Sequence, residues 1–435
     1  MLIRRLTKGY GENMNESFAL REHCFLVSGA KRGAIYDLKT GDIFSINGDA
    51  LKLLKLCESS FSIQEIVEKL NFSENKSELF LYLNSLKENN IGIFLNEHEQ
   101  IKKIDIGELE HKIDFMWLEV TNECNLKCIH CYNDKLNNGS YSESSGNENR
   151  MRIITDAYDL GCRKIQFIGG EPFLLGDKLL ELVEFTKNKG YYFVEVFTNG
   201  MLVEEKQIDF LVKHNVSVAV SFYGPNSHIH NQVTLNNYSF DRTVNNLKKM
   251  KEAGLKIRVG LIIMDINKDY IKETADFIKK ELMIDNVTYD IVRPVGKGAN
   301  EKLIPLKLVE ARQSKFKKFS KCSLDMFRKM KNGHNCFSSK ICITANGEVI
   351  PCIMEREIIF GNAFKNGLES ILNLEKSKRI RNLSKDFIEV CRDCEYRYGC
   401  FDCRPKAKRL LMANGFFAKP QDCSYNPYLG EWIGK

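Results

Sequence analysis

No apolar run in this sequence of 435 residues approaches the ~18 that a membrane span needs. Residues 1–17 (MLIRRLTKGYGENMNES) are basic but lack the apolar core of a secretory signal, so a cytoplasmic address is expected. Internal repeats and long disordered tracts are lacking too. Charge of one sign is scarce: a net charge of +7 at this length says little about partners. Two basic stretches, 315–331 (KFKKFSKCSLDMFRKMK) and 376–385 (KSKRIRNLSK), carry the visible excess. Each reads either as a solvated helix face or as a surface for an acidic peptide or a redox partner. No aromatic–basic interleaving and no recognised binding motif accompany them, so neither nucleic acid nor membrane is an expected partner. Fifteen cysteines are too few for a disulfide scaffold of this size. In a cytosolic chain, clustered cysteines more often bind metal.

What is present is ordinary in bulk: 43% hydrophobic and 28% charged residues, enough chain for roughly two to four domains. The cysteines are not evenly spread. Three fall between positions 124 and 131, and eight follow position 335. The other four, Cys24, Cys57, Cys162 and Cys322, are scattered and read as buried small hydrophobes.

Three zones follow along the chain. In the first, residues 18–100, the turn at Lys39-Thr40-Gly41-Asp42 separates two short apolar runs, 34–38 and 43–46, which reads as a β-hairpin. Helical patterns cover 49–57, 63–70 and 77–89, and Ser62 with Glu65 forms a capping box ahead of the second. A further apolar stretch, 91–95, reads as a strand, which makes a small winged-helix-like unit. In the second zone, 115–297, strands at 116–120, 165–168, 193–198, 216–222, 257–263 and 287–291 alternate with helices near 151–160, 178–188, 204–214, 242–251 and 270–282. Such alternation implies an α/β unit with a parallel sheet and right-handed crossovers, either a partial barrel or an open sheet. Residues 137–149 (NNGSYSESSGNEN) read as a flexible polar loop. The third zone, from about Lys321, is rich in cysteine and poor in periodicity, so it needs a staple other than an apolar core.

Two motifs carry chemistry. Cys124, Cys128 and Cys131 (CNLKCIHC) follow the first strand of the second zone. A [4Fe–4S] cube usually takes four thiolates, so three without a near fourth leave one iron open to a ligand. The bland alternative is a zinc loop or a structural cluster completed from elsewhere. After the next strand comes Gly169-Gly170-Glu171-Pro172, where glycines admit a ligand close to the backbone and a carboxylate offers an acceptor for an ammonium group. Together these residues resemble the radical S-adenosylmethionine (SAM) superfamily, over the whole second zone. The resemblance implies a partial (β/α)6 barrel and a [4Fe–4S] cluster on Cys124, Cys128 and Cys131. SAM would chelate the open iron, with Gly169–Glu171 and Pro172 at its ammonium end. His130 fills the family's aromatic position near adenine, and Ser221 matches a position that often touches the ribose; an ordinary strand serine is the alternative. Reductive cleavage of SAM to a 5′-deoxyadenosyl radical, with an electron donor such as flavodoxin or ferredoxin, is the implied chemistry. The stretch 289–298 (YDIVRPVGKG) also looks like this family.

The C-terminal set is Cys336, Cys342, Cys352, Cys391, Cys394, Cys400, Cys403 and Cys423, with a hairpin turn at Asn346-Gly347. It resembles the cysteine-rich SPASM extension of radical SAM peptide modifiers, which houses two auxiliary [4Fe–4S] clusters and would bring the total to three. By that resemblance Cys336, Cys342, Cys352 and Cys403 hold the nearer cluster, and Cys391, Cys394, Cys400 and Cys423 the outer one. Cys403 follows Cys400 with two intervening residues, where the family more often has three, which touches the ligand partition. Two zinc sites are the alternative.

Residues 36–70, above all YDLKTGDIFSING, resemble the PqqD-like recognition element of enzymes that mature ribosomally made peptides. There a precursor's leader adds a strand to the hairpin edge, a case of β-augmentation; a purely structural cap is the alternative. Residues 25–36 also look like maturases from clusters with an ATP-grasp ligase. The expected organisation is 1–105 for leader recognition, 106–310 for the barrel, and 311–435 for a bridging helix and the SPASM domain. The expected reaction is hydrogen abstraction from a precursor peptide and crosslink formation, thioether first, with carbon–carbon crosslinking or epimerisation next. Formylglycine formation of the sulfatase-maturase kind, and a non-catalytic zinc or electron-transfer scaffold, are the rivals. No catalytic base is assigned.

Overall fold

A computed structural model describes residues 13–71, 76–96, 98–109, 112–133, 147–313, 321–409, 415–420 and 423–433. The N-terminal unit runs β1 (Ser17–Leu20), β2 (Cys24–Ser28), β3 (Gly33–Asp37), β4 (Ile43–Ile46), α1 (Gly48–Glu58), α2 (Ile63–Leu70), α3 (Lys76–Glu88) and β5 (Gly92–Leu95). The expected hairpin is β3–β4, and the capping box of Ser62 and Glu65 opens α2. Two strands were not anticipated. β2 adds to β3 on its far side, and β1 pairs antiparallel with β5, which takes β5 away from the hairpin. β1 (SFAL) is buried at all four positions, so no in/out alternation marks it in the sequence. Its Phe18, with Ile35, Leu54, Ile66 and Leu83, forms a separate apolar core.

The barrel follows: β6 (Phe115–Thr121), α4 (Asn147–Asp159), β7 (Lys164–Gly169), α5 (Asp177–Lys189), β8 (Phe193–Thr198), α6 (Glu205–Lys213), β9 (Ser217–Phe222), α7 (Ser227–Thr234), α8 (Ser239–Glu252), β10 (Lys256–Ile263), α9 (Ile271–Lys280) and β11 (Val287–Ile291). All six expected strands form and lie parallel in the order 6-7-8-9-10-11, as a partial (β/α)6 barrel does. α7 is an additional short helix. The loop expected at 137–149 lies outside the described residues up to 146, and Asn147–Asn149 open α4.

Beyond the barrel, α10 (Leu306–Gln313) and α11 (Leu324–Asn332) lead to β12 (Lys340–Ile343), β13 (Glu348–Ile350) and β14 (Gly361–Asn362). β12 pairs parallel with β6, so the C-terminal hairpin extends the barrel sheet to nine strands. Ile341, Ile343, Val349 and Phe360 accordingly share one apolar core with Met116, Ile165 and Val194. The N-terminal unit is joined to this region by a second apolar patch, where Val27, Ala34 and Tyr36 meet Phe327, Met330 and Tyr398. The Tyr36 hydroxyl donates to the Glu395 carbonyl (3.0 Å) and Arg397 to the Ser28 carbonyl (2.8 Å). Cys24, Cys57, Cys162 and Cys322 are all buried, as expected of scattered cysteines. Among the described residues, no helix is long and apolar enough to cross a membrane.

Candidate active site

The loop after β6 carries Cys124, Cys128 and Cys131, and the C-terminal ends of the strands surround it. The N–H of Leu126 donates to Cys124 Sγ (3.4 Å), and that of Lys297 to the Cys131 carbonyl (2.9 Å). The latter bond comes from the YDIVRPVGKG stretch, where Gly296 has a positive φ of 57° and a Cβ would lie 2.6 Å from the Cys131 carbonyl. This glycine therefore lets one loop brace the other. Burial pushes the thiol of Cys128 up to about 12 and that of Cys124 to about 11. Such thiols need a strong electrophile to become thiolates, and bound metal is one.

A cavity of about 740 Å³ opens beside the three cysteines, with His130, Gly169, Gly170 and Ser221 in its wall. The His130 ring stands edge-on to Tyr223 at 5.0 Å between centroids. Burial lowers its pKa to about 4, so the imidazole is neutral and offers a flat π face. The Ser221 side chain in turn lies beside Tyr223, where it opposes the rise that burial imposes on the phenol. At Gly170 a Cβ would overlap the Glu123 carbonyl, so the second glycine of the motif is required by the approach of two chain segments as well as by any ligand.

Glu171 and Pro172 are placed differently from expectation. The Glu171 side chain is fully buried and outside the cavity wall. It accepts from the N–H of Phe173 (3.1 Å), the Thr198 hydroxyl (2.7 Å) and the N–H of Asn199 (2.8 Å). Burial raises its pKa to about 7 against those three donors. Its oxygens are thus committed to fixing the β8–α6 turn. The ligand-facing atoms of the motif belong to Gly169 and Gly170, while Pro172 is buried as the first residue of a 3₁₀ turn. Asn199, which this turn presents, was not signalled by any motif. It lines the cavity and donates to Asn125 in the cysteine loop (2.8 Å).

Other residues of the site were illegible because they come from distant strands. Glu119, with no side-chain exposure, takes a two-pronged ion pair from Arg356 (2.7 and 3.1 Å), whose guanidinium stands 5.5 Å from the Tyr132 ring centre. Arg258 grips Glu195 (2.8 Å) and reaches Thr288. Arg293 pairs with Asp290 at 2.5 Å. Arg258, Asp290 and Arg293 face the cavity beside Trp117, Phe197 and Met354.

The C-terminal cysteines gather in two places. Cys403 and Cys336 act on the thiol of Cys352, which in turn acts on that of Cys342 on β12, and Arg293 faces Cys403 and Cys352. Cys391, Cys394, Cys400 and Cys423 line one small cavity of about 20 Å³. Among the described residues, the only three His, Cys, Asp or Glu ligand atoms all within 4.8 Å of one another are those of His23, Cys24 and Asp37, where His23 lies between Glu22 (3.3 Å) and Asp37 (3.7 Å). A tetrahedral zinc with Zn–S bonds of about 2.3 Å would draw its sulfurs to roughly 3.8 Å. No cysteine trio is so tight. The donor sets therefore suit a group larger than one ion, and all-thiolate sets of this kind suit iron–sulfur clusters.

Comparison with known proteins agrees with this geometry. Residues 118–278 match the Radical SAM superfamily model, and 336–395 match SPASM, an iron-sulfur cluster-binding domain. This chain contains a radical SAM domain and a SPASM domain. The two domains imply [4Fe–4S] clusters and a SAM site. Among curated relatives, the subtilosin biosynthesis protein AlbA of Bacillus subtilis is 28% identical over 271 residues, 59% of this chain and 58% of AlbA. A probable GTP 3′,8-cyclase of Methanosarcina mazei is 24% identical over 324 residues, 68% of this chain and 95% of the cyclase. The chain thus spans little more than half of AlbA. Streptococcus suis SuiB, solved bound to its precursor peptide SuiA, is similar in fold with a TM-score of 0.58 at 16% identity, over 94% of this chain and all of SuiB.

Proposed function

We propose that this radical SAM enzyme matures a ribosomally made precursor peptide, binding it through a leader and forming a crosslink in its core, with a thioether favoured over a carbon–carbon bond or epimerisation. Bound at Cys124, Cys128 and Cys131, a [4Fe–4S] cluster and SAM supply reductive cleavage of SAM and hydrogen-atom abstraction. The chain's own residues hold and enclose that chemistry. His130, Ser221, Gly169 and Gly170 line the side of the cavity next to the cysteine trio, and Trp117, Phe197, Ile353 and Met354 form apolar wall that keeps water from a reactive carbon centre. Arg258 and Arg293 are each neutralised by a carboxylate, so they orient polar groups without setting a net positive field. Two auxiliary clusters on the eight C-terminal cysteines, partitioned as the two gatherings suggest, would make three in all. They would pass single electrons from a flavodoxin- or ferredoxin-like donor.

The observation that carries this reading is the single cavity. Its wall holds the cysteine trio, the Gly-Gly turn and Arg293, which faces the thiols of Cys352 and Cys403. The leader has an open edge to join, since β4 ends the three-stranded sheet. The Asp37 N–H donates to the Asp42 carbonyl (2.9 Å), and alternation from that bond leaves the N–H of Ser45 facing away from β3. AlbA, named for bacteriocin biosynthesis, and peptide-bound SuiB support a peptide substrate. A nucleotide substrate, as in the cyclase, is favoured less, because AlbA is the more identical relative (28% against 24%) and the fold of SuiB extends over 94% of this chain.

Co-expression with the short open reading frame beside the gene, followed by mass spectrometry, tests the proposal. Loss of two hydrogens per bond formed is expected; an unmodified peptide with vigorous SAM cleavage would overturn it. Deleting residues 1–105 is a poor test of leader binding, because it would bare Phe327, Met330 and Tyr398. Substitution on β4 leaves that packing in place.

A further inference from the structure

The basic stretch 376–385 is not a uniformly solvated face: Ser377, Arg381 and Lys385 are buried. Lys385 opens a short 3₁₀ turn, Lys385–Phe387, in which the Asp386 N–H donates to the Ser384 hydroxyl. Its side chain is 4% exposed, and Nζ makes no hydrogen bond to protein. An ammonium has three donors to satisfy, so burial without a partner is a strong demand for an acceptor. The nearest carboxylate, Asp402, stands 3.5 Å away and is already engaged by His334 (2.9 Å) and by Arg404. Lys385 instead forms part of the wall of the small cavity that holds Cys391, Cys394, Cys400 and Cys423.

We infer that Lys385 is a redox-tuning residue, a fixed positive charge and hydrogen-bond donor aimed at the sulfurs of the outer cluster. The inference rests on the reading that these four cysteines hold a [4Fe–4S] cube. Such a cube with four thiolates carries −2 when oxidised and −3 after taking one electron from a one-electron donor protein. Lys385 keeps its proton throughout, and no bond forms or breaks. A buried cation beside the cube favours the more negative, reduced state and so raises the potential. The outer site would then be the easier of the two auxiliary sites to reduce, a suitable entry point for electrons arriving at the protein's surface.

The test is an anaerobic redox titration of the reconstituted full-length enzyme, followed by EPR. Lys385→Met removes the charge and keeps the bulk. One auxiliary midpoint should move negative so that, at a fixed ambient potential, the reduced-to-oxidised ratio falls about tenfold, which is 59 mV for a one-electron couple. Lys385→Arg should restore most of the shift, and Arg379→Gln, on the exposed face of the same stretch, should leave all midpoints in place. Full iron content with unmoved midpoints in Lys385→Met overturns the tuning role. If Lys385→Met sheds iron, Lys385→Gln takes its place, with the same downward shift expected and an unmoved midpoint overturning the inference. A separate outcome is unchanged iron in a Cys391→Ala/Cys423→Ala double variant. That would remove the cluster from this site, and both the cluster reading and the tuning role would fall.

Discussion

The two ends of this molecule's cysteine chemistry differ in room more than in ligands. The trio at Cys124, Cys128 and Cys131 sits at the mouth of a cavity of about 740 Å³ walled by aromatic rings and glycine backbone. The quartet at Cys391, Cys394, Cys400 and Cys423 closes on about 20 Å³ and has a buried ammonium beside it. One site has a missing thiol and space to spare; the other has a full set of thiols and none. Under the proposed function, ligand number and free volume together would separate a place where a small molecule is transformed from a place where an electron rests, as open and closed zinc sites differ.

The comparison can be broken most directly at the trio. Replacing all three cysteines by alanine should abolish SAM cleavage and remove about four irons per chain, the content of one cube, as read by deoxyadenosine release and iron analysis. Cys394→Ala should instead leave uncoupled SAM cleavage, driven by a chemical reductant, within a few-fold of the parent while crosslinking fails. Equal loss of SAM cleavage in both variants would erase the distinction. Arg356→Ala probes the support beneath the cysteine loop beside Tyr132, because it leaves the Glu119 carboxylate buried and unpaired. A loss of about 3–5 kcal/mol in stability is expected in denaturant unfolding, and Glu119→Gln in the same background should recover part of it. The smallest effect is expected on the edge strand of the N-terminal unit. Ser45→Pro on the open edge of β4 should weaken leader-peptide binding about tenfold in a fluorescence titration, since one edge hydrogen bond and its register are lost, with SAM cleavage unchanged.

Most of the barrel was legible because its signals are local. Runs such as FVEVFT and VTYDI fall on strands with the expected ends, and the helix read near 178–188 is α5, closed by Gly190 at a φ of 108°. What escaped were pairings made across the sequence. β1 is too short and too evenly buried to show a period, and its partner β5 lies some seventy residues on. The extension of the barrel sheet by β12 also has no local mark, since KICI reads as a strand wherever it pairs. At the site, the cysteines, His130, Gly169, Gly170 and Ser221 were named from motifs, whereas Asn199, Arg258 and Lys385 belong to no motif.

The spacing of cysteines and the period of apolar residues, both properties of neighbours along the chain, determined the ligand chemistry and the class of fold. The folded chain alone decided which charged groups face inward. Glu171 reads as a ligand to an ammonium until Thr198 and Asn199 are seen to occupy its oxygens. Lys385 reads as one more solvated lysine until its burial beside four thiols is known. Whether a charge meets water, a partner or a cluster depends on segments hundreds of residues apart, and a linear pattern carries no such information.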